Sequence, residues 1–128
     1  MRAYPMARVA LVVEDEWLVR NHIVNELRES GWIVVETATG EEALALLAGR
    51  EVDVVLTDIQ LAGPMTGWDV AHAARTAKPY LPVIYASANA SDPLKRVEGS
   101  LFFGKPYDPE QIVEACQRLA PGSDEATE

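Results

Sequence analysis

Five short stretches of this chain are apolar at neighbouring positions rather than at every second one: RVALVV (8–13), WIVVET (32–37), VDVVLTD (52–58), LPVIYAS (81–87) and SLFFGK (100–105). All are rich in β-branched or aromatic residues, as strands are. A strand wet on one face alternates apolar with polar, so an unbroken apolar run belongs to a strand covered on both faces, as in a parallel sheet. Helical patterns fill the gaps between the runs. Val19, Ile23 and Leu27 recur every four residues, with Gly31 as the stop. Thr39 and Glu42 have capping-box spacing ahead of ALALL. Val70, Ala71 and Ala74 precede Pro79, and Asp108-Pro109 opens a segment whose stripe is Ile112, Cys116 and Leu119. This alternation predicts one doubly wound α/β domain with a five-stranded parallel sheet. The domain is expected over residues 8–120, after an N-terminal extension (1–7) and before a disordered acidic tail (121–128).

Composition narrows the functions open to such a domain. A chain of 128 residues, 48% of them hydrophobic, can bury a core without staples, and the single Cys116 excludes an internal disulfide framework. No apolar run approaches the roughly 18 residues of a membrane span, and MRAYPMARVALVV lacks the long apolar region of a signal peptide. A cytoplasmic protein without a membrane partner is expected. Eleven basic residues against twenty acidic ones leave a formal net charge of −9, which argues against direct contact with nucleic acid. It permits a cation or a basic protein surface.

In open α/β sheets, ligands sit beyond the carboxyl ends of the strands. The polar residues at those ends are Glu14 and Asp15, then Asp58, Ser87 and Lys105. If all five strands are parallel, three acids, a hydroxyl and an amine share one rim. Two carboxylates 4 Å apart repel by about 4 kcal/mol at an effective dielectric near 20, so a bound cation would relieve the crowding. A carboxylate trio without clustered His or Cys is a hard-oxygen site, suited to Mg²⁺ or Mn²⁺ rather than zinc. With a metal, an ammonium and a hydroxyl around it, Asp58 is placed to attack phosphorus and become an acyl phosphate.

VVEDE, VLTDIQ, PVIYASA and FFGKPY resemble, in order and spacing, the signature elements of the receiver domain of two-component response regulators, over about residues 7–120. The resemblance implies a flavodoxin-like sheet of order 2-1-3-4-5, in which Asp58 takes phosphate from a sensor histidine kinase or a phosphotransfer protein. It implies that Asp15 and Asp58 bind Mg²⁺ directly, Glu14 through water, and Gln60 by its backbone carbonyl. Ser87 and Lys105 would bind the phosphoryl group, Pro106 would follow a cis bond, and Phe102 would be the switch aromatic. Gln60 and Asn89 would tune how fast the phosphoryl group is hydrolysed. The expected molecule is a stand-alone receiver, without enzymatic activity beyond its own phosphorylation and dephosphorylation, whose output is contact with a downstream protein; pairing with a second copy is left open.

Two stretches depart from the family pattern. DIQLAGPMTG is one residue longer than the usual loop, with Ala62 at the usual proline position and Pro64 later. Ser87 to Lys105 is several residues shorter, leaving PLKRVEG, with Pro93 at its start, for the helix between the fourth and fifth strands. That helix is expected to be short or irregular.

Other functions meet specific obstacles. An aspartate-nucleophile phosphohydrolase of the dehalogenase type needs a second acid two residues after the nucleophile, where Gln60 stands. A flavodoxin-like nucleotide carrier needs a glycine- or hydroxyl-rich loop after the first strand, where acids stand. A phosphorylation-independent interaction module would have no use for the set Asp15, Asp58, Ser87 and Lys105. His22 and His72 read as surface or satisfied histidines away from the rim, Trp32 and Trp68 as packing residues, Trp17 as a cover near the acids, and Lys95-Arg96 as a solvated pair.

Overall fold

A computed structural model describes residues 7–89 and 92–121. The expected extension and acidic tail, apart from Ala7 and Pro121, lie outside the described residues. The chain runs β1 (Val9–Val13), α1 (Trp17–Glu29), β2 (Ile33–Thr37), α2 (Gly40–Gly49), β3 (Val54–Thr57), α3 (Gly67–Ala77), β4 (Val83–Ser87), β5 (Leu101–Gly104) and α4 (Pro109–Leu119). All neighbouring strands are parallel and their order is β2-β1-β3-β4-β5. No described helix is long and apolar enough to cross a membrane.

The consecutive apolar positions are explained by two cores, one on each face of the sheet. Ala10, Val12, Val54, Leu56, Ile84 and Ala86 meet α1 and α4 through Ile23, Leu27, Ile112 and Cys116. Leu11, Val13, Val55, Val83 and Tyr85 point the other way, onto Ala43 of α2 and Val70, Ala71 and Ala74 of α3. The central strands β1, β3 and β4 are therefore almost entirely buried, and the partly exposed ones are the edges β2 and β5.

Side-chain caps fix where α2, α3 and α4 begin. The Asp108 carboxylate accepts from the Glu110 amide with Pro109 in the first turn, and the Thr39 hydroxyl accepts from the Glu42 amide. Glu42 reaches back to the Ala38 amide instead of Thr39, so the expected capping box is displaced by one residue. The complete box is at α3, between Thr66 and Asp69. It sets α3 against β3 so closely that a side chain on Gly67 would run into the Asp58 backbone carbonyl.

Between β4 and β5 the described residues form turns and no helix, which is the irregular outcome expected for PLKRVEG. The segment is held by one apolar anchor and a few polar bonds. Val97 is buried in the α2/α3-side core, and its amide donates to the Tyr85 hydroxyl at 3.2 Å. The His72 ring nitrogen meets the Lys95 carbonyl at 3.2 Å.

Candidate functional site

Parallel strands bring their carboxyl ends to one edge, and the loops there are fixed by backbone bonds between strands. The Asp58 amide donates to the Val13 carbonyl (3.0 Å), the Glu14 amide to the Thr37 carbonyl (3.0 Å) and the Lys105 amide to the Ser87 carbonyl (2.9 Å). This places the tips of β1, β3 and β5 around one point. Lys105 Nζ lies 2.7 Å from Glu14 Oε1, 2.8 Å from Asp58 Oδ2 and 3.3 Å from Glu16 Oε1. The other Asp58 oxygen accepts from the Ile59 amide at 2.6 Å. Glu14, Asp58 and Ser87 are buried, while Asp15 and Glu16 are exposed at the mouth. A cavity of about 550 Å³ opens over Asp58, lined by Asp15, Glu16, Gln60, Ser87 and Lys105 among others. Asn89 lines it too, and its amide donates to Ser87 Oγ at 3.2 Å. The peptide bond between Lys105 and Pro106 is cis, as the resemblance implied.

Burial pushes the Glu14 carboxyl up to about 7, against the hydrogen bonds it accepts from Lys105 and from the Glu16 amide. Burial alone would pull Lys105 down, but its bonds to Asp58 and Glu14 outweigh that, and the ammonium is held more firmly than a free lysine. Burial beside Glu14 raises the Tyr107 phenol to about 12. The rim thus carries one firmly held cation amid an excess of acid.

Every residue expected at the rim lies there: Glu14, Asp15, Asp58, Gln60, Ser87, Asn89 and Lys105. Phe102 does not line the cavity. It is half-buried on β5 in register with Tyr85, over the core that also holds Val97. Glu16 was not singled out from the sequence, yet one oxygen each from Glu14, Glu16 and Asp58 lie within 4.8 Å of one another. The signal was its place at the N-cap position of α1, where its side chain makes no capping bond and reaches Lys105 instead. His22, expected away from the rim, lines a second groove of about 420 Å³ that shares Glu16, Ala88 and Lys105 with the main cavity. Among the described residues the donors gathered at Asp58 are carboxylate oxygens, and no His or Cys lines the main cavity; this set fits Mg²⁺.

The response regulator receiver domain model matches residues 10–117. The chain belongs to the response regulator receiver family. It is 32% identical over 107 residues to the probable transcriptional regulatory protein TcrX of Mycobacterium tuberculosis, an alignment covering 80% of this chain and 45% of that protein. The chain spans less than half the length of such curated relatives. Among solved structures, a response regulator receiver protein from Sinorhizobium medicae superposes with a TM-score of 0.82 at 29% identity, covering 89% of this chain and 94% of that one. The response regulator TrrA of Thermotoga maritima, solved in complex with Mg²⁺-BeF, gives a TM-score of 0.78 at 28% identity, covering 88% and 98%. This receiver is a phosphoacceptor switch domain of a two-component system.

Proposed function

We propose that Asp58 is the phosphoacceptor of this receiver and that the donor is a phosphohistidine on a sensor kinase or phosphotransfer protein, in a cytoplasmic setting. The observation that carries this is the Lys105 ammonium, 2.8 Å from Asp58 and 2.7 Å from Glu14. It orients the buried Asp58 side chain at the floor of the cavity and supplies positive charge beside the oxygen that would attack. Oδ of Asp58 forms a bond to phosphorus, the P–N bond of the donor breaks, and the imidazole leaves. The Ile59 amide keeps the other carboxylate oxygen in place, so one oxygen is presented to the cavity. Lys105 then turns toward the phosphoryl oxygens, and the Ser87 hydroxyl, freed from the Asn89 amide, donates to another.

Asp15, Asp58 and the Gln60 carbonyl would hold Mg²⁺, with Glu14 acting through water; when bound, the metal neutralises phosphate charge beside the carboxylate. Mn²⁺ has the same preference for oxygen and would serve in its place. Gln60 and Asn89 line the cavity through which an attacking water would enter, and on this reading they set the lifetime of the adduct. Ser87 and Lys105 moving inward would bias Phe102 and residues 88–107 between two arrangements, read by a downstream protein.

The test is incubation with acetyl phosphate and MgCl₂ followed by intact-mass measurement. The native chain is expected to gain one phosphoryl group, and Asp58→Asn and EDTA-treated samples none. A native chain that stays unmodified, or an Asp58→Asn chain that is modified equally, would overturn the assignment.

A further inference from the structure

Asp15, exposed at the mouth of the cavity over Asp58, has no side-chain partner among the described residues: its carboxylate makes neither a hydrogen bond nor an ion pair. Its direction is therefore set by the backbone on either side. Before it, the Glu14 amide is tied to the Thr37 carbonyl, and after it, the Glu16 amide donates to Glu14 Oε2. The remaining freedom is rotation of the Glu14–Asp15 peptide, and one group restrains it. Arg20 Nη1 donates to the Glu14 carbonyl at 2.7 Å.

Arg20 itself is held from two sides. It lies on α1, where its amide bonds the Glu16 carbonyl at 2.9 Å. Its Nε donates to Glu36 Oε1 on β2 at 3.1 Å, and the other Glu36 oxygen lies 3.6 Å from Arg28. A planar fork spending one nitrogen on a carboxylate and another on a carbonyl fixes both partners in angle as well as distance, which a lysine cannot do. The Arg20 side chain is 17% exposed; its bond to the Glu14 carbonyl is partly buried, and its bond to Glu36 lies at the surface.

We infer that Arg20 is a positioning residue for the metal: by fixing the Glu14–Asp15 peptide plane, it aims the unsupported Asp15 carboxylate into the cavity before Mg²⁺ arrives. The inference rests on the metal reading above and adds a residue to it. Without the clamp the exposed Asp15 carboxylate turns outward, away from Glu14 and Glu16, which Lys105 still holds, and Mg²⁺ must then order it as it binds.

Amide chemical-shift titration of the full chain with MgCl₂ tests this without relying on phosphorylation. Arg20→Met is expected to raise the Mg²⁺ dissociation constant about tenfold, within the range seen when a group supporting a ligand is removed. Arg20→Lys, which keeps the charge and loses the fork, should recover less than half of that loss on a logarithmic scale. In an Asp15→Asn background, Arg20→Met should cause no further loss, because the side chain it aims no longer ligates. A role confined to joining α1 and β2 would lower the unfolding midpoint and leave this cycle additive. An unchanged dissociation constant in Arg20→Met, full recovery with lysine, or an equal loss in the Asp15→Asn background would overturn the inference. Should Arg20→Met fail to fold, Glu36→Ala loosens the same fork and carries the same cycle with a smaller loss. A wild-type chain whose Asp15 and Asp58 amides do not respond to Mg²⁺ would overturn the metal reading itself, a result distinct from a bound metal indifferent to Arg20.

Discussion

Lys105 has three N–H bonds and meets three carboxylates, two of them buried. Removing it leaves Glu14 and Asp58 facing each other without a counter-charge. Lys105→Met is expected to destabilise the metal-free chain by about 3 kcal/mol, at the lower end for a broken buried ion pair. Mg²⁺ should restore more stability to this variant than to the native chain, since it supplies the missing charge; urea unfolding with and without MgCl₂ measures both. A different residue tests the core. Burial pushes the Cys116 thiol from the ordinary 9 up to about 12. A raised pKa stabilises the fold below the unfolded value and loses that contribution as pH rises through the folded one. Relative to Cys116→Ala, the native chain should therefore lose stability between about pH 9 and 12, and Cys116 should react with a disulfide reagent at pH 8 only after unfolding. Glu14, Asp58 and Lys105 were legible because each ends a strand. Glu16 was not, since only the turn into α1 carries it back over the strand tips. The role of Arg20 was also hidden, because one nitrogen of its fork goes to a backbone carbonyl, which no side-chain pattern announces.

The β4–β5 connection is the crossover that carries no helix among the described residues. Its shortness could be counted from the sequence, and Pro93 with Gly99, whose φ is +76°, explains why turns replace a helix. How the segment is fastened could not be read, because a tyrosine inside a strand signals only an apolar, β-favouring side chain. The Tyr85 ring packs tilted against Trp68, with centroids 4.9 Å apart, while its hydroxyl accepts from the buried Val97 amide. Tyr85→Phe keeps the ring and removes the cap, leaving a buried donor unsatisfied at a cost of about 1–3 kcal/mol. The expected result is faster hydrogen exchange at Val97 and through residues 94–100, with α1 and α4 unaffected. Uniform loss of protection across the chain would instead mean that the bond supports the whole core. Thr66→Ala, which removes the hydroxyl half of the α3 capping box, should cost about 1 kcal/mol in thermal or urea unfolding. It bears on the site as well, since α3 starts against the Asp58 carbonyl.

Across the whole molecule, the apolar runs dictated a parallel sheet, the parallel sheet put the carboxyl ends of the strands on one edge, and Glu14, Glu16 and Asp58 meet there. The fold is thus stable in spite of its site rather than because of it: two buried carboxylates and an exposed acid share one ammonium. A cation that binds the folded chain and not the unfolded one must raise stability by RT ln(1 + [L]/Kd), whatever its later part in phosphoryl transfer. At a hundred times its dissociation constant, Mg²⁺ should add about 2.7 kcal/mol, a shift in unfolding midpoint on the order of 10 °C for a domain of this size. Ionic strength matched with NaCl separates site binding from general screening of the surface acids, which acts at any salt. Asp15→Asn should lose most of the Mg²⁺-dependent gain. Asp58→Asn should lose it too while gaining stability in the absence of metal, because one of the opposed carboxylates is gone. An equal gain in MgCl₂ for native chain, Asp15→Asn and Asp58→Asn would place the stabilising cation elsewhere on the surface and detach the acid rim from metal binding.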